Sequence, residues 1–250
     1  MQQLSAVIIT FNEEKNIGRC LESIKDIADD IVVVDSFSTD KTSEICSKHS
    51  ANFIQHTWEG YSATKNFANA QAKYDWVLSL DADEALSPQL QDSIRKLKSG
   101  NNIAFCTFNR LTNYCGTWIN HCGWYPDTKL RLFDRRKTKW DGLIHEKLIF
   151  SEKIHAQHLK GDCLHYSYYT TEDHYKQLEK FTDLSAKHMF DSNTHPNFIS
   201  FYLSPAVKFF QCYFLKLGFL DGAAGFSISC ISAYGVYLKY HKLKKLLQAK

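Results

Sequence analysis

The chain has 250 residues, 44% of them apolar and 23% charged, and carries a net charge of +3. That length fits one domain, or one domain with an appendage, and the apolar fraction is enough for a sizeable core. A charge so near balance excludes nucleic-acid binding spread over the whole surface, so no nucleic-acid partner is expected. Eight cysteines are scattered with no CxxC pair, in a chain too large to need stapling. Free thiols in a reducing cytoplasm are the expected state, with Cys115 and Cys122 the one close pair. Met1-Gln2-Gln3-Leu4 lacks a basic region and runs straight into an apolar strand, so no secretory signal is expected.

The first hundred residues alternate between two periods. Leu4 to Thr10 reads as a buried strand. Ile17 to Ile27 carries a helical stripe of Ile17, Cys20, Leu21, Ile24 and Ile27. A strand follows at Ile31–Val34. Ser38-Thr39-Asp40 offers caps for a helix running through Cys46. Ala51–Gln55 is a short strand and Tyr61–Ala72 a helix. Trp76–Leu80 is a strand, and Ser87-Pro88 opens a helix by the cap-then-proline rule. Short apolar strands alternating with amphipathic helices predict an α/β fold with a parallel sheet covered on both faces.

From 102 to 170 the pattern changes to strand-like runs at Ile103–Phe108, Lys129–Phe133 and Leu143–Phe150, separated by aromatic loops. His165 follows a turn at Gly161–Leu164 and precedes an aromatic strand. From Thr171 the pattern is helical. Residues 198 to 247 are rich in aromatics and poor in acids, and the seventeen residues between Asp221 and Lys239 carry no charge. That length is at the short edge of what spans a bilayer. Followed by the basic run Lys239–Lys245, it reads as a membrane-surface hairpin, with a buried helical pair as the competing reading and a full span as the third.

In an open parallel sheet, ligands bind outside the carboxyl ends of strands. Three strand ends here are polar: Thr10-Phe11-Asn12-Glu13, Asp35-Ser36 and Asp81-Ala82-Asp83. Two carboxylates two residues apart, where a buried strand emerges, repel each other unless a cation lies between them. A divalent metal held by few carboxylates usually shares its shell with phosphates, which points to a nucleotide-dependent reaction. A dinucleotide fold needs GxGxxG after the first strand, and Phe11-Asn12-Glu13-Glu14 excludes it. An aspartyl phosphatase is also disfavoured, because the Asp pair sits on a late strand with no following Thr.

These three strand ends, with Ile31-Val32-Val33-Val34-Asp35-Ser36-Phe37-Ser38-Thr39-Asp40-Lys41-Thr42 and Leu80-Asp81-Ala82-Asp83-Glu84 in full, resemble the nucleotide-sugar half of inverting family 2 glycosyltransferases of the GT-A fold. Gly123-Trp124-Tyr125-Pro126-Asp127, Arg131-Leu132-Phe133, His145-Glu146-Lys147, Gly161-Asp162-Cys163-Leu164-His165 and Lys216–Gly222 are similar to bacterial lipopolysaccharide inner-core β-1,4-glucosyltransferases. The resemblance implies a GT-A domain over 1–170, with a nucleotide-sugar half to about residue 100 and an acceptor half beyond it, and C-terminal helices over 171–250. It implies a UDP-sugar donor, a Mg²⁺ or Mn²⁺ cofactor and a lipid A-core acceptor. The free thiols and the membrane-surface reading of the C-terminal stretch together predict a cytoplasmic protein, peripheral on the inner face of the cytoplasmic membrane. The alternatives are transfer to another membrane-associated saccharide or a polyprenyl phosphate, or a silent nucleotide-binding scaffold.

By that resemblance Thr10, Asn12, Glu13 and Asp35 hold uracil and ribose, Asp81 reaches ribose or metal, and Asp83 binds the metal. The residue types suit this, since carboxylates accept from uracil N–H and ribose hydroxyls, and a divalent ion neutralises a diphosphate. For Asp35 the competing role is turn formation before Ser-Thr-Asp. A late histidine, His165, completes the metal shell in relatives; a buried hydrogen-bonded imidazole is the alternative. Arg131 neutralises phosphate or serves a structural ion pair. Inversion needs a general base, for which Glu146 and Asp127 compete. Relatives carry Glu-Asp where this chain has His145-Glu146. Either carboxylate is otherwise a salt bridge, Glu146 with Lys147 or Asp127 with Lys129 or Arg131. Trp118, Trp124 and Tyr125 stack on sugars or simply pack.

Overall fold

The computed structural model describes residues 2–100, 104–142, 147–150 and 153–248. The chain forms two compact units, one of residues 1–110 and 127–165, the other of 111–126 and 166–250. The first is an α/β unit with the GT-A architecture. Its strands are β1 (Ser5–Thr10), β2 (Asp30–Asp35), β3 (Asn52–Gln55), β4 (Trp76–Asp81) and the three-residue β5 (Glu84–Leu86). These are followed by β6 (Phe105–Tyr114), the two-residue β7 (Thr117–Trp118), β8 (Asp127–Asp134), β9 (Thr138–Asp141), β10 (Lys147–Phe150) and β11 (Gln157–Tyr168). The main sheet runs β3-β2-β1-β4-β8-β6-β11-β5, and β9 and β10 form a separate hairpin ladder. The first four strands are parallel, and β8 adds antiparallel to β4.

Both faces of the parallel part are covered, as the continuous apolar strands require. Leu4, Ala6 and Ile8 point to one core, shared with Ile17, Cys20, Leu21 and Ile24 of α1 (Ile17–Ile24) and with Cys46 of α2 (Thr42–Lys48). Val7 and Ile9 point to the other, with Ala68 of α3 (Tyr61–Ala70). The period of two thus assigns alternate residues of one strand to opposite layers. Helix α4 (Pro88–Lys98) begins as its sequence predicts, with the Ser87 hydroxyl accepting from Leu90 N.

One local expectation is met and one corrected. Asp40 caps the start of α2, one carboxylate oxygen accepting from Thr42 N at 3.0 Å; its other oxygen, with Ser38 and Thr39, ties the loop after β2 to the loop after β1. Gly161–Leu164 is not a turn but lies inside the twelve-residue β11. Gly161 is there because α4 begins against it: a Cβ would meet Leu90 N at 2.3 Å, and φ is +99°.

The second unit holds β7, which pairs with the end of β6, and, among the described residues, three longer helical pieces and a short 3-10 turn at Gly218–Asp221. Helix α5 (Thr171–Asp191) opens with a capping box between Thr170 and Asp173. A continuous helical segment runs from 199 to 215, with π-turns at Ile199–Leu203 and Gln211–Leu215 flanking α6 (Ser204–Phe210). Helix α7 (Gly222–Gln248) is a single helix of 27 residues, so the uncharged stretch is not itself a hairpin. Residues Gly218–Gln248 are long and apolar enough to cross a membrane by length and composition. The core of this unit is small and aromatic: Tyr114, Ile119, Cys122 and Ile228, with Trp124 and Tyr168 packed against it. All eight cysteines are free thiols.

Candidate active site

The strand ends of the α/β unit come together as the sheet order dictates, because β2, β1 and β4 are adjacent and parallel. The loop after β1 is stitched to the loop after β2. Asn12, in a left-handed conformation (φ 54°), accepts from Thr39 N through its side-chain oxygen at 2.8 Å and donates its backbone N–H to the Ser38 hydroxyl at 2.7 Å. Glu13 N donates to the Thr42 hydroxyl at 2.9 Å. Asp35 is fully buried and accepts from Ser38 N at 2.8 Å and from the Ser38 hydroxyl. Its observed work is to shape the loop that faces Asn12. Thr10 is buried at the end of β1, and its hydroxyl has no hydrogen-bond partner among the described residues.

A second layer of charge lies beneath β4. Asp81 takes Lys65 Nζ at 3.0 Å and Arg131 Nη2 at 2.8 Å. Burial alone would push its carboxyl up; the Arg131 guanidinium and the Lys65 ammonium overcome that and hold it well below the usual carboxylate range. Arg131 is itself buried, and the same Nη2 reaches Glu84 at 3.2 Å. Glu84 also accepts from Asp81 N at 3.0 Å and pairs with Arg110 at 3.4 Å. Trp140 lies over both cations, 4.9 Å from Lys65 Nζ and 5.7 Å from the Arg131 guanidinium carbon. Arg131 therefore stands in a structural ion-pair network, and Asp81 is already neutralised by two cations.

Asp83, two residues on, is different. Its carboxylate meets His165 Nε2 at 3.1 Å, and both side chains are partly exposed. His165 arrives through the antiparallel pairing of β11 with β5, which sets it opposite Glu84. Other carboxylates lie close by: Glu13 has its pKa raised by burial and then by the Asp83, Asp40 and Asp81 carboxylates, against a lowering hydrogen bond from Asn16. A carboxylate and an imidazole side by side suit a divalent cation that draws its remaining ligands from a diphosphate. No group of three or more His, Cys, Asp or Glu side chains among the described residues encloses a metal unaided.

The two candidate bases part company. Asp127 is bound by Arg110 at 2.8 Å on one oxygen and by Lys129 at 2.9 Å on the other. Burial raises its pKa, but Lys129 and Arg110 outweigh that and lower it, which makes it a weaker base. Glu146 lies outside the described residues. In the second unit Trp124 packs on Tyr114, Tyr168 and His174, and Trp118 on Tyr166, so both have packing partners.

Residues 5–159 match the family model for glycosyl transferase family 2. The chain belongs to that family. Among similar proteins, an uncharacterized glycosyltransferase of Rickettsia bellii is 31% identical over 98% of this chain and 87% of its own. The lipopolysaccharide core biosynthesis glycosyltransferase LpsC of Rhizobium meliloti is 27% identical over 96% of this chain and 94% of its own. Among solved structures, glucosyl-3-phosphoglycerate synthase of Mycobacterium tuberculosis, in complex with Mn²⁺ and UDP, is 21% identical with a TM-score of 0.37, covering 45% of this chain and 44% of that one.

Three members of the glycosyltransferase's charge network escaped the sequence reading. Lys65 falls on the buried face of α3 with Ala68 and Asn69, and a lysine at that spacing demands a counterion inside. That signal was available. Glu84 was visible only as a third acid beside Asp81 and Asp83, and Arg110 carried no signal in a strand of alternating polar residues.

Proposed function

We propose that this glycosyltransferase moves a hexose from a UDP-sugar, glucose by preference, with inversion onto a heptose of the lipopolysaccharide inner core, using Mg²⁺ or Mn²⁺. The observation that carries the reading is the Asp83–His165 pair at 3.1 Å beside an Asp81 already saturated by cations. On this reading Asp83 and His165 hold the metal, and Asp81 anchors Arg131 and Lys65 instead of joining the metal shell. The bound metal would neutralise the diphosphate as it leaves. Thr10, with its unpartnered buried hydroxyl, and Asn12 and Glu13 on the stitched loop receive the nucleoside. Asp35 supports them by fixing that loop.

Glu146 is the general base, favoured by the engagement of both Asp127 oxygens. It removes the acceptor hydroxyl proton as that oxygen attacks the anomeric carbon and the UDP oxygen departs. The acceptor class draws support from the likeness to LpsC over nearly the whole chain. The deciding experiment is mass and linkage analysis of core oligosaccharide from cells with and without this gene. Loss of one hexose restored by the gene supports the proposal. An unchanged core, with UDP-glucose turned over only on another saccharide or a polyprenyl phosphate, overturns the acceptor.

A further inference from the structure

We infer that the helical segment 199–215 of the second unit is a docking face for an anionic lipid surface, with the chain lying on the bilayer and not crossing it. This names a partner for the lipid-borne acceptor proposed above, but it stands on different residues.

Among the described residues, twelve of the 24 exposed large apolar side chains lie between Phe198 and Phe226. Phe198 is 75% exposed, and Tyr202, Phe210, Phe214, Leu215 and Leu220 are also open to solvent. The segment has two faces. Phe201 packs on Tyr237 and Tyr240, Phe209 packs on Phe226, and Cys212 is buried, so one face is taken by α7. The other is aromatic and uncovered. Surface apolar residues scattered singly need no partner, but a continuous stripe does.

Charge selects the partner. From residue 192 to the C-terminus there are seven lysines and one acid, Asp221. That acid is 4% exposed at its side chain and is spent on His121. Lys208 and Lys216 are the only charged residues within the stripe itself, between 192 and 220. Aromatic burial with lysines as the only charges in the segment fits anionic headgroups and disfavours self-association, since two copies would bring like charges together.

Surface binding is favoured over a span by what α7 already touches. Ile228, Ile231, Leu238 and Leu243 are buried, Gly235 lies against Leu178 of α5, and Lys242 pairs with Glu179 and Asp183. A helix bound along a charged neighbour cannot enter hydrocarbon without stripping that neighbour away or burying its carboxylates.

The test is flotation of the full chain with phosphatidylglycerol-containing vesicles and with phosphatidylcholine vesicles, read without turnover. Failure here therefore leaves the donor and acceptor assignments untouched, and their failure leaves this result standing. The wild type should float with the anionic vesicles, weaken as salt rises, and wash off in alkaline carbonate. The triple variant F210S/F214S/L215S, altered only at exposed positions, should bind at least about tenfold more weakly while keeping its circular dichroism. Absence of binding at low salt overturns the inference, as does equal binding by the triple variant. Retention in carbonate overturns the surface mode in favour of a span. A dimer in solution that the triple variant converts to monomer, without vesicle binding by either, assigns the face to a second copy.

Discussion

The two units break the ordinary rule of burial in opposite directions. The α/β unit puts charge inside: Lys65, Glu84 and Arg131 are each at most 5% exposed. The helical unit puts aromatic rings outside. In the first, every buried charge named has an opposite charge within 3.4 Å, so the cost of dehydration is met within the chain. In the second, the exposed stripe on 199–215 has no apolar partner among the described residues for its outer face. An internal network of that kind fixes one geometry, which a catalytic site needs. An external apolar stripe fixes nothing until a partner arrives. The difference teaches where to look for ligands: at the carboxylates left over from the network, not at those within it.

The largest effect should come from removing a leftover carboxylate. Asp83→Asn is expected to lower turnover by about 10⁴-fold, to background, because the charged donor for the metal is gone. EDTA should do the same to the wild type, and Mn²⁺ or Mg²⁺ should restore it. Calorimetric titration with Mn²⁺ and UDP should show binding by the wild type and none by the variant. Full activity in EDTA would remove the metal from the mechanism and leave Asp83 and His165 as a simple ion pair.

The next effect separates a free carboxylate from one held by cations. Glu146→Gln should cost about 10²–10⁴-fold in turnover, the usual worth of general-base catalysis. Affinity for UDP-glucose should be nearly unchanged, because a neutral isostere keeps shape. The acid limb of the pH–rate profile should vanish with it. Asp127→Asn should cost less than about tenfold, since Arg110 and Lys129 already suppress its basicity. If Asp127→Asn collapses the rate and Glu146→Gln does not, the assignment reverses. If neither does, the base lies elsewhere.

Most of the α/β unit was legible because strand alternation and helix stripes were both clean. Val32 and Val34 face one layer and Val33 the other, and α1 buries four of the five stripe residues, with Ile27 buried just past its end. The strand-end carboxylates were legible because acids placed directly after an apolar run mark where a buried strand meets solvent. The weaker readings were those set by partners distant in sequence. β5 and β7 have three and two residues, too few to show a period. β11 hides its strand character behind Gly161, whose role depends on the approach of α4 some 70 residues earlier. The role of Asp81 was obscured for the same reason: one of its two cations comes from the helix predicted over Tyr61–Ala72, to which no functional residue was assigned. The helical unit was legible in composition but not in shape, because aromatic residues that pack and those that stay exposed look alike in sequence. Trp124 is enclosed by rings while Tyr202 and Phe210 are open to solvent.

The smallest expected effect concerns acid, and it sharpens the comparison because the two units should respond in different windows. In the α/β unit Asp81 has a depressed pKa, so the stability it contributes is complete above about pH 4 and is lost only as pH falls further. In the helical unit His174 is buried among Tyr114, Trp124 and Tyr168, and burial pushes its pKa down from an ordinary 6.5 to about 4. Between those values the unfolded chain binds a proton that the folded chain refuses. Stability of this unit should therefore fall as pH drops from about 6.5 towards about 4, by on the order of 3 kcal/mol. Urea unfolding of the full chain, followed by near-ultraviolet circular dichroism at pH 7.5 and at pH 5, should show the midpoint moving to lower urea in acid. His174→Phe should flatten that dependence. It should also cost some stability at every pH, because the Tyr114 hydroxyl loses the imidazole 3.3 Å away. The variant's absolute midpoint is thus not the test; its slope against pH is. An unchanged slope would mean that His174 titrates alike in the folded and unfolded chain, and that the aromatic core admits charge as readily as the ion-pair network of the α/β unit does.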